Sequence, residues 1–329
     1  MVVSDIQNRT FQKLFQLIFP KFRFLGGCGA ILVAASMAQG GQPSVQYIDL
    51  GRGPVPIYLP SSYIESEPLP LIVALHGYKM NGAQIENYLN LIEQVESKRF
   101  LYCIPEGTLN SRGHRFWNAT DACCDFKGEN VDDSTYLRNL VNFIHDNYVL
   151  DDVSIHFIGF SNGGFMSYRM ACDHADIISS IISLSGMTYL DASRCEPSEA
   201  VSILHVHGNS DQLVQFNGGC FDSKAFCYPS ATLSALRWTD YNGCDPIREE
   251  SDVVFDLDWS VSGNETTSKI YDQNCKQGVS VELWEMSDSG HKVRFRGPGE
   301  PVNTNRFSQR AVDWLLAHRK ERIGIGKAQ

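Results

Sequence analysis

Short apolar runs rich in β-branched residues recur along the chain at Val45 to Leu50, Val55 to Leu59, Leu71 to Leu75, Phe100 to Ile104, Val153 to Ile158, Ser180 to Leu184, Ile203 to Val206 and Val279 to Trp284. Each is bounded by Gly, Pro, Asn or Asp, the punctuation of strands, so the pattern predicts about eight. Between the later runs the apolar period lengthens to that of a helix, at Gly82 to Ser97, Asp132 to Tyr148, Asn162 to Ala175, Ser230 to Tyr241 and Thr304 to Arg319. Continuous apolar strands alternating with helices imply an α/β architecture, a mostly parallel central sheet with helices on both faces, led in by an antiparallel pair. No linker, repeat or low-complexity tract divides residues 39–329, which read as one domain. Two stretches break the rhythm, Gln212 to Tyr228 and the polar Asp245 to Lys276, and are expected to be excursions over the C-terminal edge of the sheet.

The first residues follow a different rule. Arg9, Lys13, Lys21 and Arg23 precede an uncharged run from Phe24 to Ala38 that closes on Ser36, Met37, Ala38, the form of a signal peptide cleaved near Ala38. At fifteen residues with three glycines the run is shorter than the ~20 apolar residues a bilayer span needs. A lipid-anchored Cys28 is the remaining alternative. Cleavage removes four bases and one acid from 28 Lys+Arg and 38 Asp+Glu, leaving 24 against 37 and a charge of −13. Such an acidic chain without a basic stripe is unsuited to nucleic acid. Ten cysteines, none in paired CxxC motifs, point to disulfides in a secreted or periplasmic protein rather than to zinc. Proximity suggests Cys220 with Cys227, Cys244 with Cys275, and Cys172 with Cys195. Adjacent Cys123 and Cys124 bond each other or distant partners, and Cys103, inside an apolar strand, is the expected free thiol.

Gly159, Phe160, Ser161, Asn162, Gly163 spell G-x-S-x-G between a predicted strand and a predicted helix, the context of a nucleophile elbow. The sharp turn leaves no room for side chains at the glycines and aims helix N-terminal amides at the oxygen that develops charge. A serine at its free pKa needs a base and an acid to orient it. Asp211, on the loop after Ile203 to Val206, and His291, on the loop after the last strand, follow in the order Ser, Asp, His. The alternative for Asp211 is an Asx-turn. His207 is either a support for this group or a packed residue, and His76 reads as an architectural hydrogen bonder. The amides of Asn162 and Tyr78 are the candidate oxyanion hole, and Phe116, Trp117 and the Tyr78 ring the candidate platforms for a substrate, with core packing the alternative. Asp132 and Asp133 suit an N-cap and a first-turn acid. Asn118 and Asn264 head Asn-x-Ser/Thr sequences, acceptors for glycans in a eukaryotic secretory pathway.

Leu75-His76-Gly77, the Trp117 region with Cys123-Cys124, Val131-Asp132-Asp133, Gly159 to Gly164 with Met166, Tyr168, Arg169 and Cys172, His207-Gly208 with Asp211, Asn242-Gly243-Cys244 and Gly290-His291 together resemble the secreted polyhydroxybutyrate depolymerase and feruloyl esterase family. The resemblance covers nearly the whole of residues 39–329. It implies an α/β-hydrolase fold and hydrolysis of carboxylic esters with no metal or cofactor, through Ser161, Asp211 and His291 as triad and Tyr78 and Asn162 as hole. The substrates it implies are polyhydroxybutyrate-type polyesters or oligomers, or feruloyl and acetyl esters of plant polysaccharide; the sequence itself leads us to expect no separate polymer-binding domain and no stable membrane span. Two features depart from the pattern: Lys292, Val293, Arg294, Phe295, Arg296 follow His291 where aromatic and proline residues are common, and Cys220 to Cys227 bracket an insert after Asp211. Lys292 and Arg294 either face an anionic or hydroxylated substrate or are solvated loop charges. A secreted serine peptidase on the same fold and a non-catalytic binding protein are the rival readings.

Overall fold

The structure, a computed structural model, describes residues 41–222, 225–246 and 249–321. The signal-peptide reading and Cys28 lie outside the described residues. The strands, in chain order, are β1 (Ser44–Asp49), β2 (Pro54–Leu59), β3 (Leu69–Leu75), β4 (Leu101–Cys103), β5 (Thr108–Leu109), β6 (Arg115–Phe116), β7 (Leu150–Phe160), β8 (Ser180–Leu184), β9 (Ser202–Gly208), β10 (Gly219–Cys220), β11 (Cys227–Tyr228), β12 (Glu249–Phe255), β13 (Thr266–Tyr271) and β14 (Val281–Met286). The helices are α1 (Gly82–Leu89), α2 (Ile92–Lys98), α3 (Asp133–Asn147), α4 (Asn162–Asp173), α5 (Ala231–Tyr241) and α6 (Ser308–Ala317).

Ten strands form one sheet in the order β1-β2-β4-β3-β7-β8-β9-β14-β13-β12. From β4 to β14 neighbours run parallel, and antiparallel pairs close both ends. The fold is that of an α/β hydrolase, with two more strands in its sheet than the apolar runs predict. Both come from the polar stretch expected to be an excursion. β13 pairs β14 with Thr266 opposite Met286 and Tyr271 opposite Val281, and β12 adds beyond it. An edge hairpin buries alternate side chains at most, so Thr-Thr-Ser-Lys-Ile-Tyr carries no continuous apolar signal.

Successive residues of the central strands serve opposite faces. Leu71, Val73, Leu75, Ile181, Ile203 and Leu283 meet Leu137, Phe165 and Trp238 of α3, α4 and α5 on one side. Ile72, Ala74, Ile182, Leu204 and Val206 meet Ile85, Val95, Val312 and Leu315 of α1, α2 and α6 on the other. The helical period over Gly82 to Ser97 is broken at Asn90, which is left-handed (φ 57°), so two short helices replace one. The Glu86 carboxylate accepts the Ile92 N–H that opens the second, 3.0 Å away. Asp132 caps α3 through the Thr135 N–H at 3.0 Å, whereas Asp133 is fully buried and bonds Arg52 and the Asn118 N–H, more than a first-turn acid. Disulfides join Cys123 to Cys124, Cys172 to Cys195, Cys220 to Cys227 and Cys244 to Cys275. Cys103 is free and buried, and burial pushes its thiol up, away from reactivity. No helix among the described residues is long and apolar enough to cross a membrane.

Candidate active site

Ser161 sits where β7 ends and α4 begins, with φ 54° and ψ −118°, a strained conformation for a residue with a side chain. The turn is held by the Ser161 N–H, which donates to Leu184 O at 2.7 Å, and by α4, whose Phe165 N–H donates to Ser161 O at 3.0 Å. It closes only because its flanks are glycine. A Cβ on Gly159 would lie 2.1 Å from Gly163 O, and one on Gly163 would lie 2.0 Å from Leu75 O. The backbone of α4 therefore rests directly on β3 and β7, which lifts the serine to the C-terminal edge of the parallel strands.

Asp211 leaves the same edge after β9, and His291 leaves it after β14, the parallel neighbour of β9. Their loops are laced together by Asn209 N–H to Met286 O (2.9 Å), Ser210 N–H to Ser289 O (3.0 Å) and Asp288 N–H to the Asn209 amide oxygen (2.9 Å). The result is a line of contacts: Ser161 Oγ to His291 Nε2 at 3.0 Å, and His291 Nδ1 to Asp211 Oδ2 at 2.7 Å. The Phe160 ring packs on the imidazole at 5.1 Å. Asp211 is at once the Asx-turn weighed as its alternative, because its other oxygen, Oδ1, accepts the Leu213 and Val214 amides at 2.8 and 2.9 Å. Burial alone would raise its carboxyl, but hydrogen bonds from His207 and His291 outweigh burial and hold it below the usual carboxylate range.

The main-chain N–H groups of Tyr78 and Asn162 have no acceptor among the described residues. Asn162 also works through its side chain, which accepts the Trp117 N–H at 2.7 Å and donates to Trp117 O at 2.8 Å. This clamp ties the loop before the Cys123–Cys124 turn to the start of α4. His76 is architectural: its Nε2 accepts the Gly107 N–H at 2.9 Å, and Nδ1, 2.9 Å from Gly77 O, carries the proton.

Phe116 and Trp117 are not platforms for a substrate. Both are 0% exposed, and the Trp117 indole N–H donates to His76 O at 3.1 Å, so both rings are core. Half-buried aromatic surface lies instead around Tyr78, whose ring meets Phe126 edge-on at 5.8 Å. Phe126 in turn meets Phe221 and Phe226 of the Cys220–Cys227 insert at 5.7 and 5.2 Å. Sequence reasoning missed these rings because the insert shows its aromatic residues without showing which way the hairpin folds. Phe221 packs on Phe165, one turn into α4, which brings the insert over the helix that starts beside Ser161. Lys292 and Arg294 are exposed, with the Lys292 ammonium 5.5 Å over the Tyr88 ring. Asn264 is exposed, while the Asn118 side chain donates to Val131 O at 3.0 Å.

A model of the Esterase family matches residues 51–222, which hold Ser161, the Tyr78 loop and Asp211. The chain belongs to the Esterase family. This esterase is 25% identical over 241 residues to feruloyl esterase B of Piromyces equi, covering 71% of its own chain and 42% of that protein. It thus spans less than half of that relative's length. With feruloyl esterase D of Neurospora crassa it shares 25% identity over 271 residues, 77% of the esterase and 80% of the relative. The acetyl xylan esterase from Aspergillus awamori has the same fold, with a TM-score of 0.55 at 14% identity over 82% of this chain and 98% of that one. The family is thus that of esterases, and the fold is of the α/β-hydrolase type.

Buried histidines set an acid limit on this architecture. Burial lowers His76 to about 4 and His156, enclosed between Ser154 and Ser180, to about 3, and it holds His205 well below its ordinary value. A histidine lowered on folding binds its proton only in the unfolded chain between the two values, so stability is full above about pH 6.5 and falls as pH drops toward 4. Glu86, raised by burial to about 7, and Asp133, raised by burial as well, oppose this over part of the range, against His76, His156 and His205 together with His174, which burial also lowers. The thermal midpoint should therefore drop by several degrees between pH 7 and pH 4.5, and a flat profile would contradict the neutral histidines.

Proposed function

We propose that the esterase is a secreted serine hydrolase that cleaves its substrate in two acyl-transfer steps. One observation carries the reading: the unbroken line from Ser161 Oγ through His291 to Asp211, at 3.0 and 2.7 Å, on a strained elbow. His291 Nε2 takes the Ser161 proton as the oxygen attacks the ester carbonyl, and Asp211 holds the imidazole and offsets its charge. In this reading the amides of Tyr78 and Asn162 receive the oxyanion. The protonated His291 then gives its proton to the leaving alcohol, and water, activated by the same ring, releases the acid. Four disulfides and the basic-then-apolar start of the chain support export to an oxidising compartment.

Among carboxylic esters we favour feruloyl-type aromatic esters over acetyl esters and hydroxybutyrate oligomers. The half-buried rings of Tyr78, Phe126, Phe221 and Phe226 offer a flat acid edges and faces close to the proposed hole, and the feruloyl esterase relatives agree with that choice. The test is hydrolysis by the purified protein of methyl ferulate, acetylated xylan, a 3-hydroxybutyrate oligomer and a peptide. The expected order puts methyl ferulate first in kcat/KM by at least about tenfold, the worth of one good aromatic contact. Preference for the oligomer or for acetylated xylan would refute the aromatic choice but keep the esterase, and peptide cleavage at a comparable rate would favour the peptidase.

A further inference from the structure

The acid of the proposed triad is bonded by two histidines. Asp211 Oδ2 lies 2.7 Å from His291 Nδ1 and 3.2 Å from His207 Nε2. His207 Nε2 also lies 2.7 Å from Val214 O, and a carbonyl can only accept, so this nitrogen carries the proton and shares it between Val214 O and the carboxylate. In the neutral ring the other nitrogen, Nδ1, accepts, and its partner at 3.1 Å is His205 Nε2. That nitrogen must donate, which leaves His205 Nδ1 to accept from the Tyr168 hydroxyl at 2.8 Å. Every proton of the chain Tyr168, His205, His207 thus points toward Asp211. The two rings belong to alternate residues of β9 and are nearly parallel (7°), and both are fully buried. Tyr168 belongs to α4, the helix of Ser161. The nucleophile's helix and the acid's loop are therefore coupled by a buried path that does not pass through the substrate.

We propose that His207 is a positioning residue for the reaction: its Nε2 proton, fixed there by Val214 O and by the Tyr168–His205 chain, holds Asp211 Oδ2 in line with His291 and takes a share of the carboxylate charge. The inference rests on the assignment of Ser161, His291 and Asp211 made above. With two amides on Oδ1 and two imidazoles on Oδ2, the carboxylate has little freedom to rotate away from His291. Sharing its charge also has a direction. Without the His207 proton the carboxylate turns its full charge toward His291, so removing that donor strengthens the attraction between Asp211 and a positive His291. Among the described residues, other titratable groups that face this cluster are Tyr228 from the hairpin and Tyr88 from α1, with Asp258 acting on Tyr88 and Lys292 over its ring.

Two variants read this separately from packing. His207→Phe keeps a planar ring and removes the donor, while His207→Gln places an amide N–H where Nε2 was. For folded His207→Phe the acid limb of the kcat/KM profile should move to higher pH by about half to one unit, a fraction of a hydrogen bond to a charged group because the effect reaches His291 only through the carboxylate, with kcat/KM down about tenfold. His207→Gln should return the limb most of the way. A residue that only fills space would lower the melting temperature without moving the limb, so an unshifted limb in the folded Phe variant overturns the proposal, as does a Gln variant no better than the Phe variant. Should His207→Phe fail to fold, ¹⁵N spectra of the parent imidazoles decide: His207 protonated at Nε2 and bare at Nδ1 is expected, and the opposite tautomer overturns the chain. Ser161→Ala assayed alongside separates this failure from the other, because turnover surviving in that variant removes the triad while the parent spectra still report on His207.

Discussion

Ser161→Ala is expected to lower kcat by about 10⁶-fold and to leave substrate binding and the melting temperature nearly unchanged. The size follows from the roles assigned above. Without Oγ there is no atom to attack the carbonyl, and His291 and Asp211 have nothing to activate, so what remains is the help of the oxyanion amides to a bound water. The stability follows from the turn. The φ of 54° at residue 161 is imposed by the contact of α4 with β3 and β7, not by the hydroxyl, so alanine inherits the same strain. The measurement is kcat and KM on the best ester of the panel, with a melting curve of each protein. A variant that keeps a hundredth of the parent rate would show that another nucleophile does the chemistry.

Gly163→Ala should be as damaging by a different route. The added methyl would lie 2.0 Å from Leu75 O and 2.8 Å from His76 O, both main-chain atoms that cannot swing aside. Either α4 withdraws from β3 or β3 bends, and both also disturb His76, whose ring and carbonyl hold Gly107 and Trp117. Overpacking ordinarily costs about 1–3 kcal/mol; a backbone-on-backbone clash in the centre of the sheet belongs to the exceptional range above about 4 kcal/mol. Activity should fall at least about a thousandfold even in any fraction that stays folded, because the elbow and the amide of Asn162 move together. Urea titration of Gly163→Ala beside Ser161→Ala checks this. A Gly163→Ala protein as stable as the parent would mean that the close approach of α4 to β3 does not exist.

The elbow could be read from the chain because its requirements are local. Two glycines at fixed distance from a serine, between an apolar run and a helical period, leave few other conformations. The nearness of Asp211 and His291 to Ser161 is legible in their order and in their place after strands, which the parallel topology converts into proximity. Side-chain direction was not legible in the same way. Phe116 and Trp117, beside Arg115 and Asn118, look like a loop near a cleft, yet the Asn162 clamp turns them into the core. The β12–β13 hairpin is hidden for a related reason, since an edge strand needs only alternate burial and its polar residues mask it. In His205 and His207 the signal was present, because alternate residues of a strand share a face. What was missing was the ring order, which depends on Val214 O and Tyr168, residues from separate elements.

The most direct test of the central claim is covalent labelling. The purified protein would be incubated with an alkyl fluorophosphonate, and its intact mass and peptide map recorded beside Ser161→Ala and His291→Ala. One adduct per chain, located on Ser161, absent from Ser161→Ala and formed far more slowly in His291→Ala, is the predicted result. An unlabelled protein that still hydrolyses esters, or a label carried by another residue with activity lost in step, would contradict the account.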